Sequence, residues 1–205
     1  MLVWSGGCSG RTREGSLGQF EYLLLFLAIV LGLAVTDLCT SLNRLLGAGA
    51  KVRWDWLAPL AAIVAFLKII TQWWTWFAAA PIAKALTFEM FVGLLVSVVL
   101  LFLLASVSLP DDLEDGVVDL RAYYAQVSRR YWLLFAAHFA LSNAVSIWVQ
   151  MQVEGARLAL FSPGYLILPA AIALAFIRSR LVHGACFIAL IATYLMQFGE
   201  RGLGQ

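Results

Sequence analysis

"WDWLAPLAAIVAFLKIITQWWTW", residues 54–76, is the stretch whose reading decides the fold class. It is apolar almost throughout, carries tryptophan at both ends and holds one lysine, Lys68, well inside. At the helical rise, Trp54 and Trp56 stand about 27–30 Å from Trp73, Trp74 and Trp76, matching the hydrocarbon thickness of a bilayer. Indole rings prefer the headgroup level on both sides of a membrane. The stretch therefore reads as a membrane-spanning helix over about residues 56–79 with an aromatic belt at each interface. A ligand-stacking role for "QWWTW" is the weaker alternative.

The same pattern recurs along the chain. "FEYLLLFLAIVLGLAVTDLCT" (about 20–40) predicts a first span, and "LTFEMFVGLLVSVVLLFLLASVSL" (about 86–109) a third, stopped by Pro110 and the acidic run "DDLED". "VVDLRAYYAQVSRRYW" has apolar residues at helical spacing and predicts a short amphipathic helix lying in the interface. It feeds a fourth span, "YWLLFAAHFALSNAVSIWV" (about 131–149). A fifth span (about 160–178) begins near "SPG", and "RSR" at 178–180 turns the chain into a sixth (about 181–198). The fifth and sixth are short for two full crossings, so a tilted, re-entrant or broken pair is an alternative there. Residues 1–18 lack the apolar core of a signal peptide and read as a flexible N-terminal tail. Residues 19–205 read as one membrane domain.

Composition agrees. Of 205 residues, 62% are hydrophobic and 13% charged, against about 45–50% and about 25% in soluble domains. The expected class is all-α: a polytopic membrane protein of six transmembrane helices plus the interfacial helix. No alternating strands of β-barrel type are visible. A net charge of +2 with no basic stripe excludes a nucleic-acid partner. The three cysteines show no ligand spacing, and no cofactor is implied.

Lys and Arg near span ends set orientation. The first, third and fifth loops hold eight (Arg44, Lys51, Arg53, Arg121, Arg129, Arg130, Arg178, Arg180), and the opposite side holds five (Arg11, Arg13, Lys84, Arg157, Arg201). This balance places both termini outside; the expected location is a bacterial inner membrane, crossed several times.

Polar residues within the spans are the candidates for function. Lys68 lies one to two turns from the outer belt, with Gln72 one turn further along the same face. Glu21 and Glu89 open the first and third spans on the same side. Two readings stand: a structural ion-paired or snorkelling lysine, or a site that handles a solute or ion. A second set lies toward the inner side, with Asp37 near the end of the first span and His138, Ser142 and Asn143 in the fourth. Asp37 and His138 are within reach of one another across helices, and hydrogen bonding between helices is the commoner role of a lone intramembrane histidine. Catalysis is not expected, because HExxH, GxSxG and a clustered acid pair are all missing.

A shift of 110 positions lays "PLAAIVAFLK" (59–68) on "PAAIALAFIR" (169–178) and "LGLAVTDL" (31–38) on "LSNAVSIW" (141–148). Two units of three spans would be an inverted repeat of the kind seen in secondary transporters, and it would pair Lys68 with Arg178. Chance alignment of Ala/Leu-rich helices is the competing explanation. The sequence points to a small transporter or channel working as a homo-oligomer, with Glu21, Asp37, Lys68, Gln72, Glu89, His138 and Asn143 along the pathway. The alternative is a non-catalytic subunit or assembly partner of a larger membrane complex.

Overall fold

The computed structural model describes residues 19–79, 87–111, 117–152 and 166–202. Among them are six helices: α1 (Gln19–Ala48), α2 (Leu57–Ala79), α3 (Phe88–Ser106), α4 (Leu120–Gln152), α5 (Ile167–Leu174) and α6 (Arg180–Gly202). A turn of 3-10 helix (Gly49–Lys51) and two short strands, β1 (Val52–Arg53) and β2 (Val118–Asp119), occupy the connections. The expected tail at 1–18 and the start of the fifth span lie outside the described residues.

Four stretches are long and apolar enough to cross a membrane: Tyr22–Lys51, Leu57–Trp76, Phe88–Ser106 and Arg180–Gln197. α1 is apolar on both faces. Leu23, Leu27, Leu31 and Leu38 are buried, while Leu25, Phe26, Ile29 and Leu33 point outward. A helix hydrophobic all round has no stable place at a water-facing surface, so the outer face of α1 calls for lipid. Trp54, Trp56 and Trp74 are exposed as a belt requires, but Trp76 is only 7% exposed and belongs to the core.

α4 departs from expectation. The interfacial helix and the fourth span form one rod of 33 residues, about 50 Å long at the helical rise. No glycine or proline falls between Leu120 and Gln152 to break it. Its N-terminal turns carry Arg121, Arg129 and Arg130, the water-facing part of the predicted amphipathic segment. Asp119 caps this end, its Oδ1 accepting from the backbone N–H of Arg121 (2.9 Å) and Ala122 (3.2 Å). α5 is the opposite case. Its eight residues span about 12 Å and cannot cross a bilayer alone.

The connections show how the helices run. β1 pairs with β2 in parallel, Val52 opposite Val118 and Arg53 opposite Asp119. α2 and α4, which follow these strands, therefore set off from the same end of the bundle. Arg44 donates to the carbonyl of Asp111 (2.9 Å) and Ser41 to its carboxylate (2.5 Å), drawing the C-terminal ends of α1 and α3 to that end. Arg180 at the start of α6 pairs with Asp55, whose other oxygen accepts from Leu57 N–H and caps α2. Tyr123 donates to the carbonyls of Val107 and Leu109 at 3.1 and 3.0 Å. Burial, with Asp111 nearby, pushes its phenol up to about 12, so it remains a donor at physiological pH. The helices thus alternate in direction about one charged end, called the clasp end below.

α1 packs on α3, α3 on α4, α2 on α6, and α4 on α5. α6 approaches the first connection closely at Gly184, where an added Cβ would stand 2.0 Å from the Trp56 ring. The core lies between α2, α3 and α4, around Leu57, Ala61, Val98, Leu101, Tyr131, Trp132 and Phe135.

Candidate functional site

Near the middle of α2, Lys68 and Gln72 face inward, 8% and 6% exposed, where a membrane helix ordinarily carries only apolar groups. α3 supplies Ser97 (2% exposed) and α4 supplies His138, which has no exposed surface at all. One ring nitrogen of His138, Nδ1, lies 3.0 Å from the carbonyl oxygen of Ser97 and 3.3 Å from its hydroxyl. A carbonyl only accepts, so this nitrogen carries the proton and Nε2 is left as an acceptor. Ser142, one turn along α4, stands 3.4 Å from Nε2 and 3.3 Å from Gln72 Oε1. The Ser97 hydroxyl is also 3.4 Å away, so the one proton of Ser142 has three acceptors within reach, of which His138 Nε2 and Gln72 Oε1 can only accept. These are long hydrogen bonds, and any arrangement leaves at least one of those two without that proton.

Lys68 lies beside this network. Its Nζ lies over the face of Phe139, 5.8 Å from the ring centroid. Among the described residues no carboxylate pairs with it, the single ion pair there being Arg180–Asp55. A buried ammonium over an aromatic face gains some cation–π attraction, but a ring does not neutralise its charge.

The structure assembles only part of the expected pathway. Lys68, Gln72 and His138 converge, with Ser142 between the last two. Glu89 does not join them. It is fully exposed at the first turn of α3, where its side chain bonds to its own N–H and to Thr87. Asn143 turns back on its own helix and donates to the carbonyl of Phe139 at 2.8 Å. Asp37 belongs to the clasp end, with Asp111 and Arg44 as its charged neighbours, and its Oδ2 is buried without a hydrogen-bond partner. The expected approach of Asp37 to His138 does not occur, because α1 delivers Asp37 to the level of Asp111. The side chain of Glu21 lies outside the described residues. Ser97 was not foreseen from sequence. A serine in an otherwise unbroken apolar run, "GLLVSVVLL", was the available signal.

The second histidine has a structural task. Nε2 of His183 is 3.1 and 3.0 Å from the carbonyls of Leu174 and Ile177, which α5 leaves free at its end. Nε2 therefore carries the proton, and Nδ1 accepts from the Tyr124 hydroxyl at 2.9 Å. Tyr124 in turn accepts from Trp132 Nε1 at 3.2 Å. This relay of donors joins α4, α5 and α6, and Phe187 stacks on Trp132 beneath it with ring centroids 5.0 Å apart. Among the described residues no group of His, Cys, Asp and Glu side chains comes together to hold a metal ion.

No protein-family model matches this chain, and no match was found among curated proteins or solved structures.

Proposed function

We propose that this chain is a small oligomeric membrane transporter or channel that passes a small solute or ion by way of the Lys68–Gln72–His138 cluster. The observation that carries the reading is Lys68, buried among three helices with no carboxylate beside it among the described residues. A charge at the centre of a spanning helix costs about 2.5–3.5 kcal/mol on insertion scales. Leu or Met would remove that cost, so retaining lysine is reasonable where its charge or its proton is used. The contested Ser142 proton supports the same reading, since two arrangements of similar quality let the network switch without the helices moving. Catalysis has no part in it.

In this reading all six helices enter the bilayer, with α4 as a fourth span that projects beyond the headgroups and α5 as a short fifth element. The arginine-rich clasp end faces the cytoplasm of a bacterial cell, with both termini outside. The inverted repeat is not carried forward. Lys68 is buried while Arg178 is exposed, and α1 packs on α3 and α2 on α6, whereas the backbones of the corresponding pairs, α4 with α6 and α5 with α3, do not approach to the same extent. Purified protein in proteoliposomes, screened with ion- and proton-sensitive dyes, tests the proposal: Lys68→Ala should abolish flux, and unchanged flux in a correctly inserted variant removes Lys68 from the pathway.

A second reading, a non-catalytic subunit of a larger membrane complex, is favoured by the complete enclosure of His138. A ring sealed between helices acts equally well as static glue. Native mass spectrometry of gently extracted protein separates the two, since a stoichiometric foreign subunit supports the second reading and a homo-oligomer alone supports the first.

A further inference from the structure

At the clasp end, where α4, α5 and α6 meet, lies a cavity of about 470 Å³ lined by four arginines: Arg121 and Arg129 of α4, and Arg178 and Arg180 of the α5–α6 turn. Among the described residues no acidic side chain lines it. Arg180 is tied to Asp55 just outside, whereas Arg121, Arg129 and Arg178 have no ion-pair partner among the described residues. The groups that might otherwise use these arginines are already occupied. The Leu174 and Ile177 carbonyls take their hydrogen bonds from His183, and the Ser128 hydroxyl is turned back to the Ala125 carbonyl. Arg129 is held in place by the face of Phe176, 5.1 Å from guanidinium carbon to ring centroid.

We infer that this cavity binds a phosphate-type oxyanion. Guanidinium groups offer paired N–H donors in a planar fork that matches phosphate oxygens. Arg121, Arg129 and Arg178, unpaired among the described residues, repel each other about one space until an anion enters, and the volume is that of an ordinary ligand pocket. The same Arg129 also borders an open groove of about 520 Å³, where Arg130 and Gln126 give way to Leu133, Leu134 and Ala137 down the next turns of α4. Polar cavity and apolar groove thus meet at one arginine, the shape of a phospholipid with its headgroup in the first and an acyl chain along the second. A free phosphate or phosphomonoester from the adjoining aqueous phase has the same headgroup chemistry.

The test uses the purified full chain in a neutral detergent, followed by thermal unfolding and native mass spectrometry. Three probes are added separately: phosphatidylglycerol, phosphatidylcholine and inorganic phosphate. The expected result is a rise of several degrees with phosphatidylglycerol and little with phosphatidylcholine, with adducts of the former retained several-fold more. Arg121→Gln and Arg178→Gln, both at exposed positions, should each reduce that rise and together abolish it. If inorganic phosphate alone raises the midpoint and displaces phosphatidylglycerol, the site stands and its ligand is soluble. Equal shifts with both lipids, no shift with any probe, or a phosphatidylglycerol shift that survives the double variant overturns the inference. Should the double variant fail to fold, the two single variants decide. Flux through Lys68 is not read in any arm, so this inference and the transport proposal fail independently.

Discussion

Lys68 and His138 were legible in the sequence as anomalies, but their neighbours were not. Hydropathy marks a charged residue in an apolar run, whereas the rotation of each helix decides what it meets, and rotation is set by packing. Glu89 shows the limit. It was expected on the same side of the membrane as Lys68, yet Thr87 begins α3 in a way that turns the carboxylate toward its own backbone and out of the bundle. Two predictions belong at this scale. Lys68→Met should raise stability against unfolding in detergent by about 1–3 kcal/mol, since it removes an unpaired buried charge and conserves volume. A drop in the unfolding midpoint would mean that the ammonium has a neutralising partner. Tyr124→Phe should lower stability by about 1–3 kcal/mol, because it strands both His183 Nδ1 and Trp132 Nε1. No loss would show that these groups find water instead.

The long apolar helices α1, α2, α3 and α6 were legible because apolar length and tryptophan placement are local properties of the chain. The continuity of α4 was also written there, in 33 residues without glycine or proline. The change from amphipathic to apolar pattern suggested a break, but one continuous helix can change pattern without bending. The shortness of α5 and the β1–β2 pairing were not legible, since two-residue strands carry no periodicity. Asp55 allows a prediction on how α2 and α6 are joined. Asp55→Asn should retain the cap on Leu57 N–H and lose the Arg180 pair, costing about 0.5–1 kcal/mol. Asp55→Ala should lose the cap as well and cost about 1–2 kcal/mol more. Equal losses in thermal unfolding would mean that the cap contributes nothing.

Across the whole molecule, the charge pattern and the alternation of the helices agree that connections bearing Arg44, Arg53, Arg121, Arg178 and Arg180 gather at one end. Sequence alone supplied the count, and the parallel strand pair and the Arg180–Asp55 bridge supply the physical proximity. The expected side of the membrane is open to measurement. With Cys8, Cys39 and Cys186 replaced by serine, Ser179→Cys should resist a membrane-impermeant maleimide in intact cells and react after lysis; labelling in intact cells would invert the topology. The clasp end also has a temporal meaning. Asp55 leaves the ribosome early, and its partner Arg180 lies 125 residues behind it, past four further helices. β1 likewise waits for β2, which arrives only once α3 has been made. Through most of synthesis the first hairpin therefore holds an open strand edge and an unmatched carboxylate, and both are satisfied only as the later helices dock. A chain arrested before α6 still displays Asp55 without its Arg180 partner, so an unfinished molecule differs chemically from a finished one at this end.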